Sequence, residues 1–253
     1  MAERPVFISV TGPDGAGKDS CWKAAKALLP PAPTILKIGK PSSIIINGRE
    51  TFVDQRISRV LDAFHAWADA QRNIQLTCFA NTLYVMFQWG VQERYWRSKV
   101  HPDMVFSLRD GYVDPVAYAP YYANSTLGKM DIPERISILH KLHGSPFRDT
   151  TVFLDVDPSI AVRRIEERLQ AEAQIQGRLM RPKWIHQHEN VRALTLIHQE
   201  FFRVLEYLEE NKNTNVCVID TNELSKQEVG KRLAGGIMSG YNSRRHCISP
   251  IAA

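Results

Sequence analysis

The sequence predicts an α/β fold in which a parallel sheet is covered by helices on both faces. Three observations predict it. Five short runs rich in β-branched and aromatic residues recur, at residues 6–10, 34–38, 104–108, 151–156 and 216–219. Helix-like stretches lie between them, a spacing that suits strand–helix–strand crossovers rather than hairpins. The first run leads directly into a glycine-rich loop and a further helical run, residues 21–29.

That loop reads Gly12-Pro13-Asp14-Gly15-Ala16-Gly17-Lys18, followed by Asp19-Ser20. A Gly-x4-Gly-Lys sequence between strand and helix is a phosphate-binding loop. Its glycines let backbone N–H groups wrap a phosphate at a helix N-terminus, and the lysine adds a point charge. The position after the lysine usually carries Ser or Thr, whose hydroxyl ligates Mg2+; here it is Asp19. The Ser20 hydroxyl and the Asp19 carboxylate are both hard donors suited to Mg2+, and the sequence leaves open which of them meets it.

Further along, Asn47-Gly48 marks a tight turn that suits a small hairpin after the second strand. A long helical tract covers about residues 54–99. In it Ile57, Val60, Leu61, Phe64 and Trp67, then Leu76, Phe79, Leu83, Phe87 and Val91, fall at helical spacing and read as core or subunit interface. The third strand ends on Arg109-Asp110, at the carboxyl edge where α/β sheets bind ligands. There Arg109 suits an acceptor phosphate and Asp110 suits Mg2+ or its waters; the alternative is a surface ion pair. After the fourth strand Pro158 opens a helix that runs towards Gln176. An irregular basic stretch, residues 178–184, and an amphipathic helix over about residues 189–211 follow. From Gly235 to Ala253 no period is sustained, and a loose tail is expected.

At 253 residues the chain suits one α/β domain with insertions, or a domain plus a small lid; the boundaries fall at about residues 1–234, with the lid near residues 170–190. No apolar stretch reaches membrane-span length, and the first residues run straight into a strand without a signal-peptide pattern. Cys21, Cys78, Cys217 and Cys247 are scattered, lack Cys-x2-Cys spacing, and suit reduced thiols of a cytoplasmic protein. The net charge of +5 suits an acidic small-molecule substrate, while the basic residues are too dispersed for a nucleic-acid surface. His186 and His188 lack His-Glu-x-x-His spacing and read as a lid feature rather than a metal site.

Taken in order, these motifs resemble the thymidylate kinase family of nucleoside monophosphate kinases over about residues 5–234. Gly12 to Lys18 is similar to the family's Gly-x-Asp-Gly-x-Gly-Lys loop. Leu154-Asp155-Val156-Asp157-Pro158, with Ala161, Arg164-Ile165 and Arg168, is similar to its fourth strand and the helix after it. Val218-Ile219-Asp220-Thr221-Asn222 and Val229 resemble its last strand and the loop that flanks adenine. Residues 110–118 resemble the segment that holds Asp-Arg-Tyr and a later Ala-Tyr.

The resemblance implies a P-loop NTPase fold of five parallel strands in the order 2-3-1-4-5, a small arginine-rich lid, a Mg2+ cofactor and often a homodimer. It implies ATP-dependent phosphorylation of a nucleoside monophosphate, a deoxynucleotide such as dTMP, to the diphosphate. Carried over, Lys18 and the loop backbone hold the donor phosphates, Asp14 lies near the acceptor sugar, and Asn222 lies beside the adenine. The departures fall on the acceptor side. The family's Asp-Arg is inverted to Arg109-Asp110 if Ala117-Tyr118 sets the register; shifted by one, Gly111 stands where the arginine belongs. Gly39-Lys40-Pro41 replaces Arg-Glu-Pro, so Lys40 either meets the acceptor phosphate or is solvated. Gln88 takes the place of the arginine that reads thymine, and its amide suits a different base edge. Tyr118 is the aromatic singled out to lie against the acceptor base.

Phosphoryl transfer needs in-line positioning and positive charge around the equatorial oxygens more than covalent help. Arg164 and Arg168 share a helix face, and Arg178 and Arg181 lie in the stretch beyond. At least one of the four is expected to act as an arginine finger; the alternative for each is a solvated face paired with Glu166 or Glu167. Three rival readings remain at this stage. A polyphosphate-dependent relative is separable by donor competition. A deoxynucleoside kinase lacks support, because no Glu-Arg-Ser follows the third strand. A catalytically silent nucleotide-binding protein is motivated by Asp19 and the inverted Arg109-Asp110.

Overall fold

The computed structural model describes residues 4–39, 42–53, 55–71, 73–122, 127–176 and 188–246. Its strands are β1 (Val6–Thr11), β2 (Ile35–Ile38), β3 (Ser43–Ile46), β4 (Arg49–Phe52), β5 (Met104–Ser107), β6 (Thr150–Asp155) and β7 (Asn215–Asp220). Among the described residues they form one seven-stranded sheet in the order β4-β3-β2-β5-β1-β6-β7. β2, β5, β1, β6 and β7 run parallel, and β1 at the centre is buried at every position. Burial on both faces is why β1, β2, β5 and β6 read as apolar runs, whereas β7 at the edge has one buried position.

The sheet departs from the five-strand expectation in count and order because β3 and β4 form an antiparallel hairpin hung on β2. Asn47 and Gly48 link them at φ 50° and 74°, the paired positive values of a two-residue hairpin turn. β4 has no buried position, so no apolar alternation marks Arg49-Glu50-Thr51-Phe52 as a strand.

The helices are α1 (Lys18–Lys26), α2 (Gln55–Ala70), α3 (Ile74–Val85), α4 (Glu93–Val100), α5 (Val113–Tyr122), α6 (Ile132–His143), α7 (Pro158–Gln176), α8 (Val191–Lys212) and α9 (Lys226–His246). The expected helical tract is α2, α3 and α4, with a π-helical segment, Met86–Gln92, joining the last two. Asn73 starts α3 by accepting from the backbone of Gln75 and Leu76. The apolar stripe of this tract is only partly core. Tyr84 and Trp89 are buried in a cluster with Phe7, Leu36, Ile38 and Val105, whereas Val60, Trp67, Phe79 and Val91 stay more than half exposed.

The larger cluster surrounds β1, where Trp22 of α1 stacks on Phe106 of β5 at 4.2 Å between ring centroids. The expected loose tail from Gly235 is corrected as far as His246. It is helical, and Leu233, Ile237 and Tyr241 are buried. Apolar periodicity missed it because α9 approaches through small residues. A Cβ at Gly230 would collide with Ala24, and one at Gly240 with Thr150.

Candidate active site

The phosphate loop lies between the carboxyl end of β1 and α1, the place its sequence calls for. Gly15, at φ 87°, turns so close to α7 that a Cβ would stand 2.6 Å from the Ala161 carbonyl oxygen. Gly17, at φ 84°, caps α1 without a side-chain hydrogen bond, which leaves the first-turn N–H groups to an anion. Ala16 is buried and donates its N–H to Pro13 O at 3.2 Å. Lys18 Nζ folds back over the loop and donates to Gly12 O at 2.5 Å and Pro13 O at 3.0 Å. Burial, and then the nearby Arg109 guanidinium, lower the Lys18 pKa from its usual value.

Arg109 leaves the end of β5 and bridges two carboxylates. Its Nη2 lies 3.2 Å from Asp14 Oδ1 and its Nη1 3.3 Å from Asp114 Oδ1. Asp114 also accepts from Thr11 Oγ1 at 2.6 Å and from the Asp110 N–H at 2.8 Å. The second oxygen of Asp14 accepts from His188 Nε2 at 2.8 Å, and the Asp14 N–H donates to the Tyr118 hydroxyl at 3.3 Å. On the other side of the ring, His188 Nδ1 is hydrogen-bonded to the Tyr122 hydroxyl.

Two cations and two carboxylates thus face one another over the loop. Burial alone would raise the Asp14 pKa, but the His188 hydrogen bond, Arg109 and Lys18 hold it well below the carboxylate range. For Asp114 burial outweighs Arg109 and Lys18, and its pKa rises. Burial would lower the Arg109 pKa; Asp14 and Asp114 overcome this and raise it. Of the two cations beside the loop, Arg109 is held by carboxylates and Lys18 by backbone carbonyls.

The expected residues are not all brought together. Asp110, expected at Mg2+, is 1% exposed and turned into the core. Its Oδ1 accepts from the N–H groups of Tyr112 and Val113 at 2.7 and 2.9 Å, and its Oδ2 accepts from Ser9 Oγ at 2.6 Å. Position 111 has no room for an arginine, because a Cβ there would meet the Trp89 ring at 2.9 Å. Arg109 therefore supplies the guanidinium at this strand end. Arg164 is also placed elsewhere than expected. Its Nη2 donates to Thr221 O at 2.6 Å and Asn222 O at 3.3 Å, bracing the loop after β7. Asn222 in turn accepts from the Asp157 N–H at 2.7 Å. Arg168 lies 3.5 Å from Glu189. Lys40, Arg178, Arg181 and His186, with most of the expected lid, lie outside the described residues. Gln88 is fully buried in the π-helical segment, within 3.3 Å of Ser42 Oγ.

Sequence reasoning did not single out Asp114 or the contact of His188 with Asp14. Asp114 offered a signal, an acidic residue in the first turn of a helix four positions after Asp110. His188 offered none, since its contact with Asp14 spans 174 residues. For Mg2+, the donor set at the end of the loop fits: Asp19 and Ser20 are exposed hard-oxygen side chains at the start of α1. Asp14, His188 and Glu189 also bring ligand atoms within 4.8 Å of one another, but Arg109 and Arg168 already meet the two carboxylates.

Among the described residues no helix is long and apolar enough to cross a membrane. No protein-family model matches the chain. A curated thymidylate kinase of Halorhodospira halophila (strain DSM 244 / SL1) is 28% identical over 172 residues, covering 66% of this chain and 71% of that protein. That similarity, added to the loop and the sheet that carries it, supports the resemblance to thymidylate kinases.

Proposed function

We propose that this protein transfers the γ-phosphoryl group of ATP to a nucleoside monophosphate, a deoxynucleotide such as dTMP, giving the diphosphate in the cytoplasm. The observation that carries the reading is Arg109, held between Asp14 and Asp114 directly beside the phosphate loop. A guanidinium fixed on two sides is preorganised for a phosphoryl group passing between two nucleotides.

In this reading the loop N–H groups and Lys18 hold the donor phosphates. Lys18 exchanges its bonds to the Gly12 and Pro13 carbonyls for phosphate oxygens as ATP enters. Arg109 turns its fork to the acceptor phosphate, and Asp14 receives the sugar hydroxyl. Arg164 keeps the Asn222 loop in place beside the adenine. Arg168, Arg178 and Arg181 supply further positive charge as the transferring group becomes metaphosphate-like. Asp19 and Ser20 are the residues that would hold Mg2+, which would offset the charge of the donor phosphates. A homodimer completes the proposal, through the exposed apolar face that Val60, Trp67, Phe79 and Val91 leave uncovered.

The test is a coupled assay for diphosphate formation with Mg-ATP and a panel of ribo- and deoxynucleoside monophosphates. Turnover on one or a few acceptors is expected. ATP binding with no transfer to any of them would favour the silent nucleotide-binding reading instead.

A further inference from the structure

The phosphoryl transfer leaves His188 without a part, yet both of its ring nitrogens are engaged beside the phosphate loop. Nε2 lies 2.8 Å from Asp14 Oδ2, and Nδ1 is hydrogen-bonded to the Tyr122 hydroxyl. Asp14 is held as a carboxylate, which can only accept, so Nε2 is the donor of that bond. The imidazole is 14% exposed and packs against Tyr118, Tyr121 and Tyr122, with ring centroids 5.6, 6.3 and 5.5 Å away. Tyr118 also holds the backbone of Asp14, since its hydroxyl accepts from the Asp14 N–H at 3.3 Å.

The next two residues fix the point from which His188 reaches. Glu189 lies 3.5 Å from Arg168 of α7, and Asn190 starts α8 by accepting from the Ala193 N–H at 2.9 Å. Neither element needs the His188 bond in order to form. α8 has its own cap, and the loop is shaped by Gly12, Gly15 and Gly17. A bond that spans 174 residues to join them acts on Asp14 rather than on either fold element.

What it does follows from the exchange of partners at Arg109. In the free protein Asp14 is anchored at both oxygens, Oδ1 to Arg109 at 3.2 Å and Oδ2 to His188. When Arg109 turns to the acceptor phosphate, the Oδ1 anchor goes with it. Lys18 Nζ is bonded to loop carbonyls and meets the donor phosphates. Among the described residues, the remaining side-chain hydrogen bond to the Asp14 carboxylate is the one from His188. Held at one oxygen, the carboxylate keeps free lone pairs for a sugar hydroxyl. Without that bond, a side chain 23% exposed is free to change rotamer and lose the hydroxyl.

We propose that His188 is a positioning residue that keeps the Asp14 carboxylate aimed at the acceptor sugar while Arg109 is occupied with the acceptor phosphate. The inference rests on the monophosphate-kinase reading for the identity of the acceptor. Its effect falls on acceptor binding, because the loop N–H groups and Lys18 hold ATP without the help of Asp14 Oδ2.

The test compares His188→Phe, His188→Gln and Asp14→Ala with the wild type. Phenylalanine keeps a ring among the tyrosines and removes both nitrogens, whereas glutamine returns an N–H donor near the place of Nε2. Each protein is titrated, without ATP, with whichever of dTMP, dCMP, dGMP and dAMP the wild type binds most tightly. Steady-state kinetics with Mg-ATP and the melting temperature are recorded alongside. His188→Phe should weaken acceptor binding and raise acceptor KM about tenfold, with KM for ATP and the melting temperature little altered. His188→Gln should recover most of that loss. Added to Asp14→Ala, His188→Phe should cost little more, because the bond it removes serves Asp14.

Unchanged acceptor affinity in His188→Phe overturns the assignment. So does equal loss in His188→Phe and His188→Gln, or a lowered melting temperature with both KM values raised together. Acceptor binding that falls with phenylalanine and recovers with glutamine, while the wild type transfers no phosphate, keeps the positioning role and sinks the phosphoryl-transfer reading. Transfer at the same acceptor KM in the wild type and both His188 variants does the reverse. Failure of the wild type to bind any of the four monophosphates overturns both.

Discussion

The two halves of the sheet's carboxyl edge are built from different materials. On the side of β1, β6 and β7 the candidate site is mostly backbone: the N–H groups of the phosphate loop and the carbonyls after β7 that Arg164 braces. On the side of β2 and β5 it is mostly side chains: Arg109 between Asp14 and Asp114, and the glutamines gathered at Ser42. A backbone cradle fixes only where glycine must stand, so its sequence motif persists while the rest diverges. A side-chain wall is rewritten residue by residue. Here Trp89 closes position 111, and Arg109, on the other side of Asp110, is the guanidinium that lies against Asp14.

Breaking each half separately sharpens the contrast. The largest effect belongs to Lys18→Ala, which should lower kcat about a thousandfold, near 4 kcal/mol, while leaving acceptor binding intact. Steady-state kinetics paired with acceptor titration checks it. Next is the pH dependence of the scaffold under the acceptor side. His143 is fully buried, with its Nε2 3.2 Å from Gly111 O; burial, helped by Arg148, lowers its pKa to about 4. In the unfolded chain this imidazole takes up its proton near pH 6.5, but the folded protein resists until about pH 4. Stability from this group is therefore complete above pH 6.5 and lost as pH falls towards 4, by up to about 3 kcal/mol. Urea unfolding across that window should show the slope, and His143→Gln should flatten it.

A smaller change is Arg109→Lys. It keeps the charge but not the fork that spans Asp14 and Asp114, so kcat/KM for the monophosphate should fall roughly 10- to 100-fold with KM for ATP little altered. Equal damage to both substrates would erase the distinction between the halves. The mildest is Gly48→Ala in the β3–β4 turn, where φ is 74°. It should cost about 1 kcal/mol of stability and leave turnover unchanged, because the hairpin lies outside the five parallel strands.

How much was legible in the sequence follows the same division. The loop from Gly12 to Lys18 and the five parallel strands were readable, because tight turns and double burial restrict residue types at fixed spacing. The hairpin was half readable: Asn47-Gly48 announced a turn, but β4 is too exposed to announce a strand. Asp110 looked catalytic from its place after a strand, yet its oxygens cap α5 and bond Ser9. A carboxylate that caps a helix and one that faces a ligand occupy the same sequence position. His188 and Gln92 owe their placement to contacts between distant segments, which periodicity and spacing do not encode, whereas Asp114 carried a local signal in the first turn of α5. The helix after Gly235 escaped notice because small residues, not an apolar stripe, let it approach Cys217 and Val152 at Gly236 and Thr150 at Gly240.

The central claim is transfer of a phosphoryl group between two nucleotides at the Lys18–Arg109 site. The most direct measurement mixes γ-labelled ATP and one unlabelled nucleoside monophosphate with excess protein and follows the label in a single turnover. The account predicts label in the new nucleoside diphosphate for the wild type and almost none for Lys18→Ala. Label released as inorganic phosphate, or label left on ATP across every monophosphate tried, would contradict it.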